Sequence, residues 1–154
     1  MNVYERVKQL GLTIGPPTPK GGIYTPVVFF AEKLAYVSGT GDVDVDGKGS
    51  SGKLGREFTL EQGQACARKC ALNIIANLHH ALDDLNRIRK FVKLLAFVAS
   101  ESDFYQQPQV VNGASELIRD VFGEEAGMPA RSAIGVNVLP ANLPVEIEAL
   151  IELR

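Results

Sequence analysis

Met128-Pro129-Ala130-Arg131-Ser132-Ala133-Ile134 leads through Leu139-Pro140-Ala141-Asn142-Leu143-Pro144 into Val145-Glu146-Ile147-Glu148-Ala149-Leu150-Ile151-Glu152-Leu153. Val145, Ile147, Ala149, Ile151 and Leu153 alternate with Glu146, Glu148, Leu150 and Glu152. That period of two predicts a strand over 145–153 with one face in a core. Residues 132–139 read as the strand before it. The short connection suggests that the two strands pair as neighbours. Such a pairing would bring Arg131, at one strand start, close to Glu146. An arginine offers a planar fork to a carboxylate, and a glutamate can orient or activate a water. Together they would form a minimal site for hydrolysing a small organic acid. The plainer readings are a solvated face of three glutamates or a structural Arg131–Glu146 salt bridge.

Upstream, Val110, Val111, Ala114, Leu117, Ile118 and Val121 recur at helical spacing, predicting a helix from about Phe104 or Gln109 to Phe122 that Gly123 ends. A second helix is clearer still. Thr59 and Gln62 resemble a capping box, and Ala67, Cys70, Ala71, Ile74, Leu78, Ala81, Leu82 and Leu85 follow with helical spacing. Between the helices, 90–98 reads as a strand. Residues 27–30 and 34–38 read as two short strands around Ala31-Glu32-Lys33, and 39–55 as a glycine-rich loop. Val3, Val7 and Leu10 mark a short N-terminal helix, which Gly15-Pro16-Pro17-Thr18-Pro19-Lys20-Gly21-Gly22 terminates.

The element order predicts an α+β fold, a mixed sheet with two long helices packed on one face. In strand 90–98, Phe91, Leu95 and Phe97 alternate with Val92, Leu94, Ala96 and Val98, so both faces are apolar. Two helices cover only one face. A second copy of the chain is the economical cover for the other, with Leu94, Ala96 or Val98 as candidate contact residues.

With 154 residues and 45% hydrophobic content, the expectation is one domain over 1–154 with residues 1–21 as an extension. A formal net charge of −2 and a pI near 5.7 argue against a nucleic-acid binder that relies on phosphate contacts. No apolar run reaches membrane-spanning length, and the N-terminus lacks a signal-like apolar centre, so a cytoplasmic protein is expected. Two segments fall short of known motifs. Asp42-Val43-Asp44-Val45-Asp46-Gly47 opens like a calcium loop, but its twelfth position is Lys53 rather than glutamate. Gly47-Lys48-Gly49-Ser50-Ser51-Gly52-Lys53 has phosphate-loop spacing, but Leu54 stands where a Ser or Thr would hold magnesium. Cys66 and Cys70 share a helix face without two further zinc ligands, and read as small buried thiols. His79 and His80, being adjacent, point in different directions. No metal and no organic cofactor are expected.

Pro129-Ala130-Arg131-Ser132, Leu139-Pro140 and Val145-Glu146-Ile147-Glu148-Ala149 resemble, in residues and spacing, the signature of the RidA/YjgF family of reactive-intermediate deaminases, also known as L-PSP-type endoribonucleases. Gly22-Ile23-Tyr24, Val37-Ser38-Gly39 and Val111-Asn112 resemble further family positions, over roughly Gly22 to Arg154. The resemblance implies a chorismate-mutase-like fold of the bacillus type, assembled as a homotrimer with ligand clefts between subunits. It implies hydrolysis of 2-aminoacrylate or 2-iminobutanoate to a 2-oxo acid and ammonia. In it, Arg131 pairs with the substrate carboxylate and Glu146 orients the water. Tyr24 closes the cleft, Ser38 and Gly39 line it, and Asn112 lies nearby. Ala133 replaces the family's usual cysteine, whose contacts are largely backbone. Two alternatives remain open: a non-catalytic trimer that binds 2-oxo acids, and an endoribonuclease or translation inhibitor, against which the acidic charge argues.

Overall fold

The computed structural model describes residues 2–154; Met1, the first residue of the N-terminal extension, lies outside them. The chain runs α1 (Val3–Gln9), β1 (Val27–Phe30), β2 (Leu34–Gly41), α2 (Leu60–Leu82), β3 (Ile88–Ala99), α3 (Gln107–Gly127), β4 (Ala130–Val136) and β5 (Val145–Leu153). The strands form one sheet in the order β1-β2-β5-β3-β4. β3 and β4 are parallel, and the other neighbours are antiparallel. The fold is α+β, as the element order predicts.

Local chemistry sets each long helix. Thr59 accepts the Gln62 amide at 3.3 Å, and Gln62 Oε1 accepts the Thr59 amide at 2.9 Å, so the expected capping box starts α2. Pro108 sits in the first turn of α3, where its missing N–H costs no hydrogen bond. Gly123 breaks the helical dihedrals at φ 82°, and one further turn carries α3 to Gly127. The predicted end at Gly123 is therefore a kink. α2 lies over β2 and β5, while α3 lies over β3 and β4. Val37, Leu94, Ala96, Val98, Ile147 and Ile151 are fully buried beneath them.

Two strand readings need correction. β2 runs on to Gly41, past the predicted end at Ser38, because β5 pairs with it that far. Phe91 faces the helices with Leu94, Ala96 and Val98, not the open side with Leu95 and Phe97. The pairing of β3 with β5 slips between Phe91 and Lys93, and that irregularity inverts the alternation. Leu94, Ala96 and Val98 thus belong to the core of the chain itself. Among the described residues no helix lies over the opposite face of the sheet. Val28, Phe30, Tyr36 and Ile134 there are 42–48% exposed, beside half-buried Leu95, Phe97 and Leu150.

Candidate functional site

Glu146 stands at the start of β5, paired with Gly41 of β2 and Phe97 of β3. Val145 and Ile147 are fully buried on the helix side, so alternation turns Glu146 to the open side. Beside it β2 bulges. Val37 pairs with Ala149 and Thr40 with Ile147, which leaves Ser38 and Gly39 opposite Glu148 alone. Bulges of this kind re-aim backbone and side chains at sites. The Ser38 hydroxyl donates to the Thr25 carbonyl at 2.7 Å, and its amide donates to that of Pro26 at 2.9 Å. These bonds tie the bulge to the segment before β1. Gly39 is required for a steric reason. A Cβ there would lie 2.9 Å from Cδ and 3.2 Å from Cγ of Glu146, so the Glu146 side chain rests on bare backbone.

Around this carboxylate opens a cavity of about 600 Å³, lined among others by Lys20, Tyr24, Ser38, Gly39, Leu143 and Glu146. The Tyr24 hydroxyl accepts the Gly21 amide at 3.3 Å, so the ring folds back along its own turn. Burial, and secondarily the negative Glu148, raise the Glu146 pKa above the ordinary glutamate value. Glu148 in turn accepts the Tyr36 hydroxyl at 2.6 Å. A half-buried carboxylate of raised proton affinity is suited to take a proton from water.

Arg131 occupies a different place. It lies on the edge strand β4 opposite Leu94, with Ala133 opposite Ala96, so both side chains point to the helix side. Its Nη1 donates to Asn112 Oδ1 at 2.9 Å and to the Ser115 hydroxyl at 3.0 Å, both on α3. Burial lowers its pKa from the ordinary arginine value, but a guanidinium stays charged. Arg131, Asn112 and Ser115 line a cavity of about 350 Å³ with Arg119 and Met128.

The predicted β4–β5 pairing is absent. β3 lies between these strands, and Arg131 and Glu146 project from opposite faces of the sheet. No ion pair joins them among the described residues, so the reading of an intrachain salt bridge falls as well. The structure gathers Tyr24, Ser38, Gly39 and Glu146 around one cavity, and Asn112 and Arg131 around another. Ala133 packs on the core beside the second cavity and lines neither. Ser115 was missed from sequence, although its i+3 spacing from Asn112 places it on the same helix face. Lys20 was missed because no periodicity operates in the Pro/Gly-rich segment.

The other candidate segments lie elsewhere. Asp42 is 2% exposed, Asp44 pairs with Lys69, and Asp46 caps its own turn and pairs with Lys48. No group of three or more His, Cys, Asp and Glu residues able to hold a metal occurs among the described residues. Cys66 and Cys70 are buried as expected, which pushes the Cys66 thiol up to about 11 and the Cys70 thiol well above its ordinary value. His79 Nδ1 lies 3.1 Å from the Tyr4 hydroxyl, and neither histidine lines the Glu146 cavity. No helix is long and apolar enough to cross a membrane among the described residues.

Comparison with known proteins agrees with this architecture. Protein TCP17 of Trypanosoma cruzi is 40% identical over 152 residues, covering 99% of this chain and 94% of that protein. The crystal structure of Atu1372 from Agrobacterium tumefaciens is 40% identical with a TM-score of 0.85, covering 98% of this chain and 91% of that one. RidA from the Antarctic bacterium Psychrobacter sp. PAMC 21119 is 27% identical with a TM-score of 0.60, covering 92% of this chain and 96% of that one. A family profile described as "YjgF/chorismate_mutase-like, putative endoribonuclease" matches residues 11–153. The chain belongs to this YjgF/chorismate-mutase-like family.

Proposed function

We propose that the chain hydrolyses reactive 2-imino acids, such as 2-iminobutanoate and the imine of 2-aminoacrylate, in clefts completed by a second copy of itself. One observation carries the reading: the carboxylate half and the guanidinium half lie on opposite sides of one sheet, each open to solvent. Neither half suffices alone, because the substrate needs an anchor for its carboxylate and an oriented water for its imine carbon. Glu146 of one copy supplies the second, and Arg131 of a neighbour, held by Asn112 and Ser115, supplies the first. The uncovered apolar face with Val28, Phe30, Leu95, Phe97 and Ile134 supports association. The number three rests on the family resemblance alone.

In this reading Glu146 accepts a proton as water adds to C2 of the protonated imine. The C2–N π bond opens onto nitrogen and gives a carbinolamine. Return of that proton to nitrogen makes ammonia the leaving group. The Glu146 carboxylate takes the carbinolamine hydroxyl proton as the C2–N bond breaks with its electron pair going to nitrogen. The 2-oxo acid and ammonia leave, the ammonia taking that proton as ammonium. Raised proton affinity at Glu146 favours the first step. Arg131 holds the carboxylate throughout and keeps C2 over the water.

Subunit mixing tests the assembly and the chemistry together. Arg131→Ala and Glu146→Gln should each abolish most ammonia release from enzymatically generated 2-iminobutanoate. Co-refolding the two variants in equal amounts should restore about a quarter of wild-type activity, since random assembly pairs an intact glutamate with an intact neighbouring arginine in that share of clefts. Silence of the mixture beside active wild type would refute an intersubunit site. Tight binding of 2-oxobutanoate by a wild-type protein that turns over no imine would favour a non-catalytic metabolite binder.

A further inference from the structure

The Glu146 cavity contains a cation that the proposed reaction of a four-carbon imine does not use. Lys20 lines it together with Tyr24, Ser38, Gly39 and Glu146. Its ammonium has no hydrogen bond or ion pair among the described residues. The other charged side chain of that rim, Asp46, is taken. It accepts the Lys48 amide at 3.1 Å and pairs with the Lys48 ammonium at 3.5 Å.

The backbone that carries Lys20 is tied to α2 on its N-terminal side and turns back on itself on the other. Two residues before it, the Thr18 amide donates to Asn77 Oδ1 at 2.9 Å, and Asn77 Nδ2 donates to the Thr18 hydroxyl at 3.1 Å. Asn77 is itself only 4% exposed, on α2. One residue after Lys20, the Gly21 amide donates to the Tyr24 hydroxyl. The lysine therefore stands at the mouth of the cavity, exposed to solvent, with its ammonium free of any protein partner among the described residues. An unpaired ammonium beside a roomy cavity selects for negative charge on whatever enters.

We infer that the cleft is built for 2-imino acids with a second anionic group at the far end, Lys20 taking the distal carboxylate. This rests on the proposed reading, in which Arg131 of the neighbour takes the carboxylate next to the imine carbon. A dicarboxylic imine then spans the cleft, with C2 over the Glu146 water and one cation at each end. The hydrolysis is unchanged in its atoms and protons. Lys20 touches only the distal group and sets specificity.

The test compares 2-iminoglutarate with 2-iminobutanoate, each generated from its amino acid by an amino acid oxidase. Wild type should show the higher kcat/KM on 2-iminoglutarate. Lys20→Ala should lower the ratio of the two kcat/KM values roughly fivefold to tenfold, as for loss of one charge-assisted contact at a partly exposed site. Lys20→Arg should preserve the ratio, and Lys20→Glu should lower it further. A ratio unchanged in Lys20→Ala overturns the inference while leaving the deaminase reading intact. Failure of wild type to hydrolyse either imine overturns the deaminase reading instead. In that event, calorimetric titration with 2-oxoglutarate and 2-oxobutanoate decides the role of Lys20. A dicarboxylate preference lost in Lys20→Ala upholds it, and equal affinities overturn it.

Discussion

Replacing Gly39 with alanine isolates the placement of Glu146 from its chemistry. The added methyl would sit 2.9 Å from Cδ and 3.2 Å from Cγ of Glu146. Glu146 Oε1 would lie closer still, and non-bonded heavy atoms in comfortable contact are about 3.5–4.0 Å apart, so the carboxylate must retreat by about 1 Å or more. Gly39 itself is not among the residues with positive φ, so its backbone accommodates alanine without strain. The atoms that must move are the end of one side chain beside an open cavity, so the cost to the fold is small. The catalytic cost is large, because about 1 Å of misplacement commonly removes a hundredfold in rate. Gly39→Ala should therefore lower kcat for ammonia release by about thirtyfold to a hundredfold. The melting temperature should fall by less than about 4 °C, the equivalent of about 1 kcal/mol in a chain of this size. Steady-state kinetics on 2-iminobutanoate with parallel thermal melts by circular dichroism reads both. A near-wild-type kcat would show that the position of Glu146 against the β2 bulge does not matter to the reaction. A collapse of melting temperature with activity tracking the folded fraction would make Gly39 a folding residue only.

Gly113→Ala should act in the opposite sense, because its Cβ would meet backbone: 2.8 Å from the Gln64 carbonyl carbon and 3.0 Å from its Cα, where α3 crosses α2. Overpacking of about 1–3 kcal/mol should lower the melting temperature by roughly 2–12 °C, and an unchanged melt would refute that close crossing. Leu95→Asp, in the middle of the uncovered face, should leave the isolated chain folded but dissociate the assembly, since an unpaired charge would be buried between copies. Light scattering should then give the 16.6 kDa chain in place of a multiple of it, and retention of the wild-type mass would remove this face from the interface. The acid limb of kcat/KM should lie above the ordinary glutamate range, with activity lost as pH falls through the Glu146 pKa, and Glu148→Gln should move that limb down. Because the folded-state pKa is raised, the Glu146 charge weakens folding as pH rises through that pKa, so Glu146→Gln should melt higher at pH 7 and converge on wild type in acid; no difference at pH 7 would refute the burial.

The elements of this fold are legible in the sequence where a local rule governs them. Thr59 and Gln62 announce α2 because the capping box is a matter of three residues. Glu146 is assigned to the correct face because β5 alternates without interruption, and its burial follows that alternation residue by residue. The partner of β5 is not local. A short link between two strands reads as a hairpin, yet here β3, α3 and β4 form a parallel unit, and β5 passes β3 to fill the gap between β2 and β3. The turn that permits this holds Ala141 at φ 55° and Asn142 at φ 56°, left-handed values that neither residue's type demands. β4 is legible as a strand, two to three residues late at 132–139 against Ala130–Val136, but its facing is not. Its helix-facing positions are Arg131, Ala133 and Gly135, and its open-facing ones include Ile134, so hydrophobic periodicity points the wrong way. What orients Arg131 is the approach of α3, whose Asn112 and Ser115 both accept from its guanidinium. Adjacent Gly113 has room for no side chain against Gln64 of α2, which seats α3 at the depth where those two acceptors reach the sheet edge. The separation of arginine from glutamate is therefore a consequence of topology, and the proposed reaction, which needs both at one substrate, calls for a second copy to bring them together.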